Sequence, residues 1–185
     1  MARTRYVALL RGINVGGRNP VRMADLREAF DAAGHEDVKT YIQSGNVLFT
    51  STAGREAVER DLEAMLEARY GVPLVVVVRS HRQLRAVVEK APEGFGQEPD
   101  TYHSDVIFLR SPLTPRKAMA VVREREGVDR CWPGTGVLYF SRVSALRTKS
   151  KMSSIVGTPE YQLMTIRSWS TTAKLLTLLD EQAAG

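Results

Sequence analysis

The chain has 185 residues, of which 43 % are hydrophobic and 25 % are charged, and its formal net charge is +5. These values are close to the averages of globular domains, so they exclude a disordered chain, a collagen-like repeat and a coiled coil. The longest aliphatic run, Leu74 to Val78, is too short to cross a bilayer. The apolar run near the N-terminus ends at Arg11, too early for a secretory signal, so we expect a cytoplasmic protein with no membrane partner.

The first ninety residues predict alternating strands and helices. Apolar runs predict strands at 6–10, 38–43, 47–50 and 74–79, and amphipathic spacing predicts helices at 23–34, 55–70 and 84–90. Gly71 is placed to end the second helix, and the tripeptide Ser44-Gly45-Asn46 predicts a hairpin turn between the second and third strands. This order, β-α-β-β-α-β, is that of the split βαβ or ferredoxin-like motif.

The second half predicts the same order after a Pro- and Gly-rich stretch at 91–100. Strands are predicted at 105–110, 129–132, 137–140 and 162–166, and helices at 115–125, 151–156 and 171–181. Ser170 is the expected N-cap of the last helix. The element order repeats although the sequence does not.

These patterns predict an α+β fold, an α/β plait of two ferredoxin-like (βαββαβ) subdomains with a C-terminal helix. The expected boundaries are an N-terminal subdomain at 1–91, a linker at 92–104 and a second subdomain at 105–185. Each half is near the lower size limit for independent folding, so we expect the two to pack together.

The cysteine and histidine content argues against a disulfide or a metal site. Cys131 is the single cysteine, so no disulfide can form within the chain, which fits a reducing compartment. It lies in a predicted strand, where a buried inert thiol is more common than a nucleophile. The three histidines lack the spacing of metal ligands, so we expect no metal and no cofactor.

Basic residues are concentrated in two segments. Residues 1–22 carry five arginines and no acidic residue, and residues 137–175 carry six basic residues and one acidic residue. If the segments meet in space, they form a positive surface suited to phosphate or nucleic acid; otherwise they are two unrelated solvated stretches. The candidate phosphate contacts of the second segment are Arg147, Lys149, Lys151 and Arg167.

Two loops are expected to converge at one end of the first sheet. In a split βαβ unit the first and second strands run parallel, so the loop after the first strand and the hairpin after the second share an end. Glycines let backbone N–H groups approach an anion, and arginine binds phosphate through two parallel hydrogen bonds. The same residue types also suit ordinary turns. The candidate ligand-binding residues are Arg11, Asn14, Gly16, Gly17, Arg18, Gln43, Ser44 and Asn46.

Known catalytic and nucleotide motifs do not match these loops. The first loop lacks the Gly-Lys-Ser/Thr of a phosphate-binding P-loop, and its glycine spacing is not that of the dinucleotide fingerprint. The chain has no Gly-x-Ser-x-Gly elbow. Tyr6 and Phe49 lie on the strands that carry RNA-binding aromatics in other proteins, but the accompanying glycine-aromatic signature is missing. We therefore expect both residues in the core.

Three strings in the first half resemble one protein family. They are YVALLRGINVGG at 6–17, MADLR at 23–27 and TYIQSGNV at 40–47. The chain is similar over nearly its whole length to the family of unknown function DUF1697. The resemblance implies an α/β plait in two subdomains, in agreement with the element order, and it implies no known activity.

The C-terminal string TIRSWST at 165–171 is similar to the family's arginine-asparagine-tryptophan-asparagine-threonine signature. Serine replaces both asparagines here, as Ser168 and Ser170. Serine caps a helix as asparagine does, so the resemblance implies an unchanged fold at this position.

The leading functional hypothesis is a binding protein for an anionic ligand, with nucleic acid as the foremost partner. The basic residues would contact phosphates, while Asn14, Ser44 and Asn46 would orient the ligand. One alternative is a small enzyme acting on a nucleotide or phosphorylated metabolite, for which we expect a closed pocket near Asn14 and Asn46. Another is a protein-interaction module, for which we expect an exposed apolar patch. The sequence makes no prediction about oligomeric state.

Overall fold

The computed structural model describes residues 3–184, which form two compact units. The first comprises residues 3–85 and 175–184, and the second comprises residues 86–174. The strands are β1 (Thr4–Leu10), β2 (Glu36–Tyr41), β3 (Asn46–Ser51), β4 (Val76–Ser80), β5 (Tyr102–Leu109), β6 (Asp129–Gly134), β7 (Val137–Val143) and β8 (Met164–Ser168). The α-helices are α1 (Met23–Ala32), α2 (Arg55–Tyr70), α3 (His81–Glu89), α4 (Pro115–Val121) and α5 (Trp169–Ala184). Within residues 3–184, no helix combines the length and the apolar character needed to span a bilayer.

The first unit is a four-stranded antiparallel sheet in the order β2-β3-β1-β4. Because β1 and β2 both pair antiparallel to β3, they point in the same direction. One face of the sheet packs with residues of α1 and α2 in a continuous apolar core. Tyr6 and Phe49 lie in that core with their ring centroids 5.7 Å apart, as the sequence predicts. This is the ferredoxin-like arrangement.

Helix α2 covers one face of this sheet, and its carboxylates also accept hydrogen bonds from the backbone N–H groups of the edge strand β4. Glu59 is fully buried and accepts a hydrogen bond of 2.9 Å from the backbone N–H of Val78, while Glu63 accepts one of 3.0 Å from Val76. Arg55 pairs with Glu59 at 3.1 Å. The outer N–H groups of β4 are therefore occupied, which protects this edge from pairing with another chain.

The second unit repeats this topology with the strand order β6-β7-β5-β8, again all antiparallel. Helix α4 packs against one face. Where the first unit has its second helix, this unit has three 3-10 segments, Ser144–Lys149, Met152–Ile155 and Pro159–Leu163. The predicted two-subdomain α+β fold is confirmed. The second unit differs in that 3-10 segments replace its second α-helix.

Three boundaries differ from the sequence-based predictions for local reasons. The helix predicted at 151–156 is a 3-10 turn, because Ser and Thr hydroxyls engage its backbone: Ser150 Oγ accepts from the N–H of Met152 at 3.2 Å. Helix α4 ends before the predicted residue 125, because Glu124 reaches β6 and accepts a 2.6 Å hydrogen bond from the N–H of Cys131. Helix α5 is capped two residues earlier than predicted. Its cap is Ser168, whose Oγ accepts from the N–H of Thr171 at 3.2 Å, and not Ser170.

The two sheets repeat specific residues as well as topology. After β1, the N–H of Leu10 donates to the carbonyl of Gly45 at 2.8 Å; after β5, the N–H of Leu109 donates to the carbonyl of Gly136 at 3.0 Å. In each case the first strand of the unit is fastened at its end to the hairpin between the next two strands. An arginine follows the leucine in both places.

The last strand of each unit ends in the same dipeptide. Arg79 and Arg167 are both buried, and each donates to the carbonyl of the preceding residue, at 2.8 and 2.9 Å. Ser80 and Ser168 follow them, and each hydroxyl accepts from a backbone N–H three residues later at 3.2 Å. The chain therefore carries an internal structural repeat with a small set of matching residues.

The C-terminal part of α5 belongs to the first unit. Asp180 Oδ1 lies 2.6 Å from His81 Nε2 and 2.7 Å from the guanidinium of Arg85. Hydrogen bonds from Arg85 and His81 hold the pKa of Asp180 below its usual value. Gln182 donates to the carbonyl of Asp37 at 2.9 Å. These contacts join the end of the chain to the first unit's β2 and α3.

Candidate ligand-binding sites

The structure brings together the loop after β1 and the hairpin between β2 and β3. In addition to the bond between Leu10 and Gly45, the side-chain Nδ2 of Asn14 donates to the carbonyl of Gln43 at 2.8 Å. Most of the sequence-predicted loop residues therefore lie at one end of the first sheet.

The two asparagines in these loops are used to hold the loops in shape. Asn14 Nδ2 also donates to the carbonyl of Val21 at 2.9 Å, and its Oδ1 accepts from the N–H of Val21 at 2.8 Å. Asn46 is fully buried, and its Nδ2 donates to the carbonyl of Tyr41 at 2.9 Å and to Ser44 Oγ at 3.1 Å. Their amides therefore fix the backbone of both loops.

The tip of the first loop is a tight two-residue hairpin. The N–H of Arg18 donates to the carbonyl of Val15 at 3.0 Å, and the residues between them, Gly16 and Gly17, have φ of 56° and 75°. Positive φ at both central positions is typical of a type I′ turn, which explains the Gly-Gly pair. The turn leaves Val15 63 % exposed and Arg18 on the surface, whereas Arg11 is half-buried.

The hairpin between β2 and β3 contains a strained residue. Ile42 has a φ of 51° although it is β-branched, and it is 46 % exposed. Such a residue in the left-handed region costs about 1–2 kcal/mol. The bonds from Asn46 to Tyr41 and from Asn14 to Gln43, one on each side of Ile42, hold it there.

Three of the four predicted C-terminal basic residues lie close together in sequence on an exposed segment. Arg147 and Lys149 are in the 3-10 segment Ser144–Lys149, and Lys151 follows it; all three are exposed. Arg167 differs, because it lies in β8 and is only 8 % exposed. Its burial lowers the pKa of its guanidinium to about 10. It is therefore not part of the exposed basic segment.

A groove of about 300 Å³ borders this segment in the second unit, and we call it the C-terminal basic groove. Among the residues that the structure describes, no carboxylate lines it. Arg142 lines it but is partly neutralised by Asp105 Oδ2 at 3.3 Å. The pKa of Asp105 lies above its usual value, because the effect of burial exceeds the opposing effects of the nearby His103 and Arg142. The polar lining consists of Arg142, Arg147, Thr148, Ser150, Ser153 and Tyr161.

A second basic groove, of about 340 Å³, lies in the first unit, and we call it the N-terminal basic groove. Within residues 3–184, its lining contains no acidic residue. Arg3 also pairs with Glu36. The excess of arginine in residues 1–22 predicts part of this groove. Its other lining residues, at the end of β4 and the start of α3, were not among the predicted site residues. The lining is Arg3, Thr4, Arg5, Ser80, His81 and Arg82.

A third cleft, of about 340 Å³, lies in the second unit, and we call it the aromatic cleft. Phe95 and Trp132 line it; their ring centroids are 6.0 Å apart in an edge-to-face arrangement. Arg130 lies over the Trp132 ring, 5.0 Å from its centroid. No residue of this cleft was among the predicted site residues. One available signal was that both tryptophans of the chain fall in its second half.

Comparison with known proteins identifies the family. A family model described as a protein of unknown function, DUF1697, matches residues 3–139. The chain belongs to this family. A solved structure described as the conserved bacterial protein SP0830 from Streptococcus pneumoniae is similar, with 29 % sequence identity and a TM-score of 0.84. The similarity covers 96 % of this chain and 99 % of that one. No curated protein matches the chain.

The DUF1697 motifs at 6–17, 23–27 and 40–47 coincide with the meeting point of the two loops and the start of α1. They contain Asn14 and Asn46, which fasten these loops. The C-terminal basic groove, by contrast, lies after residue 139, where the family match ends.

The thiol of this DUF1697 protein is buried, as the sequence predicts. Cys131 is buried, and burial together with the nearby Glu124 raises the pKa of the thiol to about 12. Its Sγ lies 3.5 Å from the sulfur of Met119 in the apolar core of the second unit. A thiol in this environment is neutral at physiological pH and does not act as a nucleophile.

Proposed function

We propose that this DUF1697 protein binds nucleic acid through phosphate contacts. The observation that carries the proposal is the pair of basic grooves, one in each unit, whose described lining residues include arginines and hydroxyls but no carboxylate. Arginine pairs with phosphate through two parallel hydrogen bonds, and hydroxyls donate a further one. Glu36 and Asp105 pair with Arg3 and Arg142 from outside the linings, so we assign the phosphate contacts to Arg5, Arg82 and Arg147.

In the C-terminal basic groove, Arg147 is the foremost phosphate contact, because it is exposed and lines the groove. Thr148 and Ser150 offer hydroxyls beside it. Lys149 and Lys151 are exposed on the same segment and extend the positive surface beyond the groove. A ligand with several phosphates would use more of these groups than one with a single phosphate.

In the N-terminal basic groove, three arginines lie beside a histidine. Arg5 is half-buried and Arg82 exposed, so the groove offers guanidinium groups at two depths. His81 is already bonded to Asp180, which leaves the arginines as the main anion contacts. Arg18, exposed at the loop tip, adds another cation to this unit.

The distribution of cations supports a polymer over a small phosphorylated metabolite. A single small anion needs a few converging groups, whereas the cations here are spread over two grooves, a loop tip and a 3-10 segment. A nucleic acid presents a repeated phosphate backbone that can engage dispersed cations at once. The sequence pI of about 9.6 agrees with this partner.

The two alternatives have less support. An enzyme that uses the loops as its active site would need reactive groups there, but the side-chain amides of Asn14 and Asn46 are hydrogen-bonded to the loop backbone. A protein-interaction role would use exposed aliphatic side chains such as Val15 and Ile42, but Val15 pairs with the exposed cation Arg18 across the same turn.

Fluorescence anisotropy of labelled single- and double-stranded oligonucleotides tests the proposal. We expect binding that weakens strongly between about 50 mM and about 200 mM salt, because counterions are released on phosphate contact. The Arg147→Gln variant should bind more weakly than wild type. Arg116→Gln, an exposed change on α4 outside both grooves, is the matched control and should bind as wild type. No binding of any oligonucleotide at the lower salt concentration would refute the proposal.

A further inference from the structure

We propose that the aromatic cleft of the second unit is a separate site for an uncharged, nucleoside-sized heteroaromatic compound. This site goes beyond the proposed phosphate contacts, because the cleft shares no lining residue with either basic groove. Its volume of about 340 Å³ is at the low end of the range of small-molecule pockets, which suits a fused ring with a sugar rather than a longer ligand.

Two aromatic side chains, Phe95 and Trp132, form part of the wall of the cleft. Phe95 is buried and makes edge-to-face contacts with the rings of Trp132, Tyr139 and Trp169, at 6.0, 5.3 and 5.2 Å between centroids. Trp132 remains partly exposed, and the Arg130 guanidinium lies over its ring. Aromatic and guanidinium planes of this kind stack with heteroaromatic rings.

Part of the remaining lining is polar and able to read a ring edge or a sugar. Ser104 and Ser141 face each other across β5 and β7 with their Oγ atoms 3.3 Å apart. Ser104 is only 7 % exposed. Each hydroxyl has one proton and two lone pairs, so their mutual hydrogen bond leaves one proton and several lone pairs for a ligand.

The charges around the cleft favour a neutral ligand over a phosphorylated one. Glu93 and Glu98 line it with exposed carboxylates, against the single base Arg130. A carboxylate accepts hydrogen bonds from sugar hydroxyls or ring amino groups but repels phosphate. Asp129 also lines the cleft, but its Oδ2 is occupied by the N–H groups of Arg125 and Lys151, at 3.0 and 2.8 Å.

The internal repeat shows that the sheet itself does not require Trp132, which lines the cleft, or Tyr139, which packs on Phe95. Strand register places Tyr139 beside Val106 and Trp132 beside Tyr139 in the second sheet. In the first sheet the register gives Leu48 and Lys39 at the equivalent positions. The same topology therefore forms without either aromatic residue, so the aromatic pair is a property of the second unit alone.

Contacts within the second unit hold the wall of the cleft in place. Tyr139, only 2 % exposed, donates its hydroxyl to the carbonyl of Val87 at 2.6 Å. Gly96 packs so closely on the Trp169 ring that a Cβ at this position would clash. The first contact holds the end of α3 against β7, and the second holds the segment after α3 against the start of α5. A fixed cleft binds with less loss of entropy than one that must be ordered by its ligand.

Intrinsic fluorescence is a direct readout, because the only two tryptophans of the chain both contact Phe95. The probes are adenosine, guanosine, cytidine and uridine and their 5′-monophosphates, with isothermal titration calorimetry as the second measurement. We expect saturable binding of at least one nucleoside in the micromolar to submillimolar range. The corresponding monophosphate should bind at least about threefold more weakly, because of Glu93 and Glu98.

The test variant is Ser104→Ala/Ser141→Ala, which should weaken nucleoside binding at least about fivefold because it removes both serine hydroxyls of the cleft. The matched control is Ser153→Ala in the C-terminal basic groove, which should leave nucleoside binding unchanged. Oligonucleotide anisotropy on the same variants separates this site from the phosphate contacts, because the double variant should bind oligonucleotides as wild type does.

Three results would overturn the proposal. They are no saturable binding of any of the four nucleosides up to about 1 mM, wild-type nucleoside affinity in the double variant, or tighter binding of the monophosphate than of its nucleoside. Absence of nucleoside binding would refute the nucleoside site even if oligonucleotides bind, and it would leave the proposed nucleic-acid function unaffected.

Discussion

Replacing Asn14 should weaken the contact between the loop after β1 and the hairpin between β2 and β3. Its side chain makes three hydrogen bonds of 2.8–2.9 Å, two to Val21 and one to Gln43, and its backbone has a φ of 53°. The variant Asn14→Ala removes all three bonds and places an alanine in the left-handed region. Asn14→Gly removes the same bonds but tolerates that backbone conformation.

The expected magnitudes follow from these contacts. Each hydrogen bond contributes about 0.5–1.5 kcal/mol net, and water can replace part of this at a half-exposed site. With a further penalty of about 1 kcal/mol for the left-handed alanine, Asn14→Ala should lower the free energy of unfolding by about 3 kcal/mol. The glycine variant avoids the backbone penalty but loses the same three bonds, so it should lower the free energy of unfolding by about 2 kcal/mol. For a chain of this length, about 3 kcal/mol corresponds to a Tm decrease of about 6–12 °C.

Urea denaturation followed by far-UV circular dichroism measures the free energies, and thermal melts measure the Tm values. Asn19→Ala is a useful comparison, because Asn19 also has a positive φ and its side chain donates one hydrogen bond of 3.0 Å, to the carbonyl of Gly12. Its loss should be smaller. If Asn14→Ala unfolds within about 0.5 kcal/mol of wild type, the side chain does not fasten the loops.

Three further predictions concern buried and paired groups. Glu59→Ala should lower the free energy of unfolding by about 3–5 kcal/mol in urea titrations, because it strips a buried ion pair, whereas the exposed Glu56→Ala should change it little. The Cys131 thiol, with its pKa raised to about 12, should react with a thiol reagent near pH 8 about a thousandfold more slowly than in the urea-unfolded chain; equal rates would contradict its burial. Asp180→Asn should lower the Tm at neutral pH and have no effect in strong acid. The lowered pKa of Asp180 means that its contribution is present above its unfolded pKa and is lost as the pH falls through its folded value; a Tm difference that does not change with pH would contradict this.

The first half of the fold was predictable because its strands are buried apolar runs and its helices have clear stripes. The helix at Arg55–Tyr70 has the predicted boundaries, since Gly71 ends it in a left-handed conformation. The region at 144–163 was not predictable in the same way. Its serines, threonines and prolines favour local side-chain hydrogen bonds and 3-10 turns over a regular helix.

The internal repeat was hidden because only a few residues carry it. Leu10 and Leu109, and Arg79 and Arg167, match in structure, but each match is only one or two residues long in sequence. Their common role lies in fastening strand ends, which depends on register rather than on a recognisable motif.

The sites were less predictable than the fold. A sequence alone does not show that an asparagine donates to backbone carbonyls, as Asn14 and Asn46 do in the structure. The aromatic cleft combines Phe95, Ser104 and Trp132 from three separate segments, so strand pairing is needed to see that they lie together. The burial of Arg167 likewise comes from its position in β8, where strand register pairs it with Val106 of β5.

The salt dependence of oligonucleotide binding tests the central claim most directly. The association constant of a labelled single strand should be measured over a series of salt concentrations for wild type and for Lys149→Gln/Lys151→Gln. Each phosphate contact contributes about 0.7 to the slope of log affinity against log salt for single strands, so the double variant should have a slope smaller by about 1.4. Binding that is absent at low salt, or a slope that is the same in both proteins, would contradict phosphate recognition by this basic segment.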